Sequence, residues 1–203
     1  DELQYESVGL PLELFDSQKR QSYEGSLLTA AVEATIMCLS KEGNSLSSVY
    51  LCTCEKQTID TKIQKIERIC QERTNSRFIF YLKKVLKPKF KSIKDDIQIQ
   101  VLYGSLDQAK TDVLVNSVAK CLDLNSGYVS RQLTKSAGPG LQEELQKMYK
   151  DGIRWPEIAI SEPHNLKSSG CKKLLHVAVD GLDIKEKIFM LKVLTLKCLE
   201  KAV

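Results

Sequence analysis

The sequence predicts an α/β protein with a mixed, largely parallel sheet. Short apolar segments of strand type alternate along the chain with segments whose apolar residues recur at helical spacing, and this order is typical of the class. The segment at 112–118 holds the consecutive apolar residues Val113, Leu114 and Val115, as expected of a parallel strand that is buried on both faces. The 203 residues are 42% hydrophobic and 28% charged, which fits one globular domain or two small ones.

The first third of the chain predicts two strand–helix pairs. Each strand is a short apolar run, and each helix has apolar residues three and four positions apart. Asp60 or Thr61 is expected as the N-cap of the second helix, because a side-chain oxygen there accepts a hydrogen bond from a free backbone N–H. The predicted elements are a strand at 7–14, a helix at 27–39, a strand at 49–52 and a helix at 63–70.

The second half of the chain predicts four strands and three helices. Strict alternation of apolar and polar residues predicts the first of these strands, and the Gly138-Pro139-Gly140 segment is expected to separate two helices. The predicted elements are strands at 97–103, 112–118, 157–161 and 173–179, and helices at 129–137, 141–148 and 188–202.

A basic stretch at 77–94 lies between these two parts of the chain. It holds seven Lys or Arg residues and no acid, so the net charge of +4 leaves −3 for the rest of the protein. Basic residues interleaved with aromatic ones can contact the phosphates and bases of nucleic acid. The alternative is a solvated linker whose aromatic side chains pack on a neighbouring domain. The candidate phosphate contacts are Lys83, Lys84, Lys87, Lys89 and Lys91.

The remaining composition predicts neither a metal site nor a catalytic site. Seven cysteines, odd in number and scattered through apolar segments, favour reduced thiols in a cytoplasmic or nuclear protein. Only Cys52 and Cys54 lie close together, and no second pair completes a zinc set with them. No Ser–His–Asp set stands out, and His176 inside an apolar strand is expected in the core. No apolar run reaches the roughly 18 to 20 residues of a membrane span, so no membrane partner is expected.

From residue 97 onward the chain resembles the amino-terminal part of a macrodomain. The likeness is to the tandem macrodomains of the poly(ADP-ribose) polymerase family, which implies a three-layer αβα sandwich. It rests on VLYGSL at 101–106, DVLVNS at 112–117, KSAGP at 135–139 and LLHV at 174–177.

Residues 5–73 resemble the carboxy-terminal part of a macrodomain. The resemblance therefore implies a carboxy-terminal half at 1–75, a basic linker at 76–96 and an amino-terminal half at 97–203. Two interpretations stay open: the chain straddles two neighbouring macrodomains, or the two halves complement one another in a single, permuted sandwich.

The resemblance also implies which residues would bind ADP-ribose. Macrodomains cradle its diphosphate on two glycine-rich loops, hold the adenine amino group with an acidic residue and contact the distal ribose with an Asn. Asn116 stands at the ribose position and Gly104 precedes the adenine acid, but Ser105 replaces that acid. The first phosphate loop reads Ser126-Gly127-Tyr128 instead of three glycines, and the second, at 12–17, has no glycine and two acids.

The expected function is that of a degenerate macrodomain-like module. We expect a non-catalytic binding or scaffolding unit of a protein connected with ADP-ribosylation, without a cofactor and with weak or no ADP-ribose binding. ADP-ribose, an ADP-ribosylated protein or another protein would be its partner. The alternative is a functional reader of ADP-ribose or of nucleic-acid phosphates. Two positions also have purely structural interpretations, since Asn116 can brace a strand end and Gly127 can simply precede a helix.

Overall fold

The computed structural model describes residues 5–11, 24–39, 46–53, 59–73, 98–178, 180–181 and 183–202. Within these ranges, two short 3-10 helices, Leu106–Gln108 and His164–Ser169, accompany the regular elements. The strands are β1 (Ser7–Pro11), β2 (Ser48–Thr53), β3 (Gln98–Tyr103), β4 (Val113–Val118), β5 (Ile158–Ser161) and β6 (Lys173–Ala178). The helices are α1 (Glu24–Leu39), α2 (Ile59–Arg73), α3 (Tyr128–Ala137), α4 (Gly140–Met148) and α5 (Ile184–Glu200).

All six strands form one sheet in the order β3-β2-β1-β4-β6-β5. Every neighbouring pair is parallel except β5 with β6, so the predicted mixed, largely parallel sheet is confirmed. β1 lies between β2 and β4, with Val8 opposite Val113 and Gly9 opposite Leu114. Strands from both parts of the chain therefore lie side by side in the same sheet.

Helices cover both faces of this sheet. Val113 and Val115 of β4 join one apolar cluster, which also contains residues of α1, α2 and α5. Leu114 and Val118 point to the opposite face and join a second cluster with residues of α3 and α4. Successive side chains of a strand alternate between faces, so the consecutive apolar residues Val113, Leu114 and Val115 follow from burial of β4 on both faces. The predicted αβα layering is confirmed.

The chain crosses closely over β1 on its way from β3 to β4. A Cβ atom on Gly9 would lie 2.8 Å from Leu114 Cδ2, 3.2 Å from Thr111 Oγ1 and 3.5 Å from Leu106 Cδ1. A side chain at this position would collide with Leu114 of the neighbouring β4 and press on Thr111 of the segment that links β3 and β4. Gly9 thus allows the segment after β3 to lie against the sheet.

Asp112 joins the amino ends of β1, β4 and β6. Its Oδ2 accepts hydrogen bonds from Glu6 N at 2.8 Å, Ser7 N at 3.1 Å and Ser7 Oγ at 3.2 Å, and its Oδ1 lies 2.9 Å from Lys172 Nζ. Burial alone would raise the pKa of this carboxyl, but the hydrogen bonds from Lys172, Glu6 and Ser7 outweigh it and hold the pKa below its usual value. The ionised carboxylate is therefore the form that connects the two parts of the chain.

Two details of the helices bear on the sequence predictions. The expected N-cap of α2 is wrong, because the helix already includes Ile59 and places both Asp60 and Thr61 inside it. α5 instead shows a capping box, in which Asp183 accepts from Glu186 N and the Glu186 side chain accepts from Asp183 N. Within the described part of the chain, no helix is long and apolar enough to cross a membrane.

Candidate ligand-binding cleft

A small cleft opens where β2 and β3 end and α3 begins. The carboxyl ends of parallel strands are the usual place for ligands in open α/β sheets. The enclosed space is about 10 Å³, which is room for about one water molecule and far below the volume of a typical ligand site. The lining residues are Cys52, Gly104, Ser105, Leu106, Tyr128, Val129 and Gln132.

Three of the predicted site residues meet in this cleft. Gly104 follows β3 directly, and its N–H donates to Thr53 O at 2.9 Å, which fixes the exit of the chain from the sheet. Ser105 comes next and precedes a 3-10 helix that its side chain does not cap. Tyr128 is the first residue of α3, with 53% of its surface exposed. The sequence-predicted positions 104, 105 and 128 are thus brought together.

Three polar side chains of the cleft have no hydrogen-bond partner within the described part of the protein. These are the hydroxyls of Ser105 and Tyr128 and the amide of Gln132. Gln132 lies four residues after Tyr128 on α3, so the two side chains share one face of the helix. The three groups are therefore available to a ligand.

The cleft carries no charged side chain among its seven lining residues. Its polar groups are hydroxyls, a primary amide and the thiol of Cys52, and its apolar part is Leu106 with Val129. A diphosphate would therefore find no cation in this lining, and an adenine amino group would find no carboxylate. The cleft is neutral because Ser105 occupies the position at which the macrodomains that the chain resembles have an acidic residue.

Asn116 does not reach the cleft but lies in the core. It is 0% exposed, its Nδ2 lies 3.1 Å from His176 Nδ1, and its Oδ1 lies 3.1 Å from Ser130 Oγ. Ser130 Oγ also lies 2.7 Å from Ser117 O, which ties the first turn of α3 to the end of β4. Both ends of the Asn116 amide are therefore used within the protein.

The same network includes His176 and Ser161. His176 Nε2 lies 2.8 Å from Ser161 Oγ, and burial lowers the pKa of the imidazole to about 3. His176 is 0% exposed, and its predicted place in the core is confirmed. The neutral ring has one donor and one acceptor nitrogen, so both ring nitrogens have a polar partner within the core.

The order Ser161–His176–Asn116 superficially matches a nucleophile, a base and an orienting residue. The burial of this set argues against catalysis. All three side chains are at most 2% exposed, so no substrate reaches them. The set therefore stabilises the core.

The loop that enters α3 holds the remaining predicted residues. Ser126 Oγ donates to Asp123 O at 2.7 Å, and Gly127 precedes the helix in an extended conformation without a side-chain cap. A Cβ on Gly127 would have its nearest neighbour, Ser130 Oγ, at 3.6 Å, so packing within the protein does not require glycine there. The second predicted loop at 12–17 and the lysines at 83–91 lie outside the described residues.

Gln132 is one of four cleft residues that sequence reasoning missed, together with Cys52, Leu106 and Val129. Its helical spacing from Tyr128 was the available signal, but the family motifs concern loops rather than the second turn of this helix. Among the residues that the structure describes, no group of three or more His, Cys, Asp or Glu side chains could hold a metal ion.

Comparisons with known proteins agree with this fold. No protein-family model matches the chain. A segment of 85 residues, 40% of the chain, is 38% identical to human protein mono-ADP-ribosyltransferase PARP14, and it spans only 4% of that protein. An ADP-ribose binding macrodomain of Dictyostelium discoideum superposes with a TM-score of 0.63, over 97% of this chain and 90% of that one, at 8% sequence identity. The chain therefore has a macrodomain fold.

Proposed function

We propose that this chain is a degenerate macrodomain-like module of a protein connected with ADP-ribosylation. It acts as a non-catalytic binding or scaffolding unit, in the cytoplasm or the nucleus, and binds ADP-ribose weakly or not at all. The macrodomain fold and the partial identity to a mono-ADP-ribosyltransferase support the connection with ADP-ribosylation. An ADP-ribosylated protein or another protein partner fits such a role.

The commitment of Asn116 to the core carries this proposal. In the family that the chain resembles, the Asn at this position contacts the distal ribose. Here its Nδ2 and Oδ1 already bond to His176 and Ser130 at 3.1 Å each, and the side chain is 0% exposed. Turning the amide toward a ligand would leave these buried partners unsatisfied, at about 1–3 kcal/mol for each.

The entrance to α3 supports the same conclusion. Backbone N–H groups at a helix N-terminus bind phosphate where the surrounding chain allows close approach. Tyr128 places a large side chain on the first residue of α3, and no cation lines the neighbouring cleft. The macrodomain shape is thus retained, but a large side chain stands at the helix start where the family binds the diphosphate, and no neighbouring cation of the cleft compensates.

Titration calorimetry with ADP-ribose tests the proposal. The expected dissociation constant lies above roughly 100 µM, which corresponds to less than about 5.5 kcal/mol of binding free energy. Loss of the Asn116 contact and of charge complementarity in the cleft is the physical reason. A dissociation constant in the low micromolar range would contradict the proposal.

We also propose the order of the two halves, with 1–75 as the carboxy-terminal half, 76–96 as the linker and 97–203 as the amino-terminal half. The sheet order supports it. β3 and β4 are consecutive strands of the second half, yet β1 and β2 lie between them in the sheet. The first half therefore completes the sheet of the second, as a single permuted macrodomain requires.

Nucleic acid is a second candidate partner, through the seven basic residues at 77–94. Replacing Lys87, Lys89 and Lys91 by Ala should weaken binding to every single-stranded sequence alike, because lysine contacts phosphate without reading bases. The slope of log affinity against log salt should flatten by about 2 if all three residues contact phosphate. A gel-shift titration at low salt measures this. If wild type and the triple alanine variant bind equally weakly, the basic stretch is a linker and does not bind nucleic acid.

A further inference from the structure

We infer that the outer face of α5 binds the same face of a second copy of this chain, with the two helices antiparallel. The contact surface is a row of three apolar side chains, Phe189, Val193 and Leu196, which we call the α5 stripe. This inference goes beyond the proposed function, because it assigns an interaction surface and a partner that do not depend on ADP-ribose.

The α5 stripe lies on the solvent-facing side of its helix. Its three residues are spaced at i, i+4 and i+7, so their side chains share one face. Phe189 is 63% exposed, and Val193 and Leu196 are half-buried. The opposite face of the same helix packs in the core through Leu191, Leu194 and Cys198. α5 therefore presents apolar side chains on both its inner and its outer face.

Contacts with neighbouring elements border the α5 stripe on both sides. Lys192 Nζ lies 3.6 Å from Glu33 Oε2 of α1, and Lys197 Nζ donates to Pro156 O at 3.4 Å. These contacts hold the helix against α1 on one side and against the segment before β5 on the other. The stripe is thus carried by a fixed helix, which keeps the conformational cost of docking low.

α1 extends the apolar surface beside the stripe. α1 connects the parallel strands β1 and β2, and α5 follows β6, so both helices run back along the sheet in the same direction. Met37 comes one turn after Glu33, just as Leu196 comes one turn after Lys192. Met37 is 51% exposed. Neighbouring exposed apolar side chains, unlike isolated ones, mark an interaction surface.

The charges beside the stripe fit a second copy in the antiparallel orientation. Glu186 and Lys197 lie about three helical turns apart and therefore on the same flank of α5. When two such helices pair antiparallel near Val193, Glu186 of one copy faces Lys197 of the other, and symmetry repeats this contact. A parallel pairing would bring like charges together on that flank.

The groups involved retain capacity for these contacts. Glu186 accepts from Asp183 N through Oε2 at 2.9 Å, and its second oxygen can accept from a lysine of the other copy. Lys197 has three donors, of which Pro156 O takes one. On the other flank the Lys192 side chains of the two copies approach the symmetry axis, and Glu33 offsets the charge of each.

The size of the surface predicts a weak dimer. One helix pair with its flanks buries on the order of 1,000 Å², which is the lower limit for a specific interface. We therefore expect a dissociation constant between about 10 µM and about 1 mM.

Sedimentation equilibrium of the full chain under reducing conditions, from about 10 µM to about 1 mM, tests the dimer. The mass of the wild type should rise from 22.9 kDa toward twice that value. Phe189→Glu should weaken association by about tenfold or more, because it places a charge in the apolar contact. Met148→Glu is the matched control, since Met148 is 58% exposed on α4, on the other face of the sheet, and should change association by less than about twofold.

Cross-linking tests the antiparallel orientation in a Cys121→Ser background, which removes an exposed thiol. Val193→Cys lies near the symmetry axis and should form a disulfide between copies on oxidation. Phe189→Cys should form much less, because antiparallel pairing separates its two copies by more than the roughly 7 Å between Cα atoms that a disulfide spans. Circular dichroism checks that each variant is folded, and Phe189→Ala serves in place of Phe189→Glu if the charged variant is not.

A wild type that stays monomeric at about 1 mM would overturn the inference and leave the stripe to a different protein. Equal effects of Phe189→Glu and Met148→Glu would overturn it as well, since association would then not use this face. Equal cross-linking of Phe189→Cys and Val193→Cys would contradict the antiparallel orientation. None of these results bears on the proposed weak binding of ADP-ribose.

Discussion

Acidification from about pH 7 to about pH 4 should remove roughly 3 kcal/mol from the free energy of unfolding through His176 alone. Burial lowers the pKa of this histidine from 6.5 to about 3 in the folded protein. Below pH 6.5 the unfolded chain takes up the proton and the folded protein does not, so stability falls until the pH approaches 3. Above this window the histidine is neutral in both states and contributes no pH dependence.

Urea unfolding at about pH 7, 6 and 5 measures this effect, since most carboxyl groups remain ionised in that range. The variant His176→Gln should have lower stability at pH 7 but a flatter dependence on pH. His164→Gln is the matched control, because His164 is partly exposed and pairs with Glu144 at 2.6 Å. The stability of the His164→Gln variant should still fall on acidification, because this variant retains His176. A wild-type stability that stays constant from pH 7 to pH 5 would contradict the buried, neutral state of His176.

Replacing Asp112 by Ala should destabilise the protein by about 2–3 kcal/mol. The carboxylate accepts from Glu6 N at 2.8 Å and from Ser7 N at 3.1 Å, so its loss frees two backbone donors at the start of β1. Hydrogen bonds to a charged group are worth about 1.5–3 kcal/mol each before the remaining structure relaxes. Chemical denaturation of Asp112→Ala and wild type gives the difference directly.

Lys172→Ala is the control for this prediction. The Lys172 side chain is 46% exposed, and an exposed ion pair contributes about 0–1 kcal/mol. Its removal should therefore cost much less than removal of Asp112. Equal effects of the two substitutions would show that the ion pair, rather than the hydrogen bonds to β1, accounts for the role of Asp112.

The regular elements were largely predictable because apolar periodicity is a local signal. The strand predicted at 112–118 is found at Val113–Val118, and the helix predicted at 129–137 is found at Tyr128–Ala137. Its boundary with the next helix at Gly138-Pro139-Gly140 was also predicted, and Gly138 has a φ of 93° that favours glycine. The start of α2 was predicted too late in the chain. Asp and Thr are common N-cap residues, but Asp60 and Thr61 here lie within the helix rather than before it.

The site was predictable only in part. Positions 104, 105 and 128 meet in the cleft because the strand end and the helix start were placed correctly. The burial of Asn116 depends on His176, 60 residues later, and no spacing along the chain reveals such a partner. Gln132 lies on a helix rather than in a loop motif, so its position in the cleft becomes visible only in the folded structure.

The pairing of β1 with β4 is the feature on which the cleft and the Asp112 contacts depend, since it brings both parts of the chain into one sheet. Backbone NOEs between Val8 or Gly9 and Val113 or Leu114 test it most directly. They should be strong, and they should persist in labelled protein diluted with unlabelled protein, because both strands belong to one molecule. Absence of these NOEs, or their appearance only between labelled and unlabelled molecules, would contradict the single sheet.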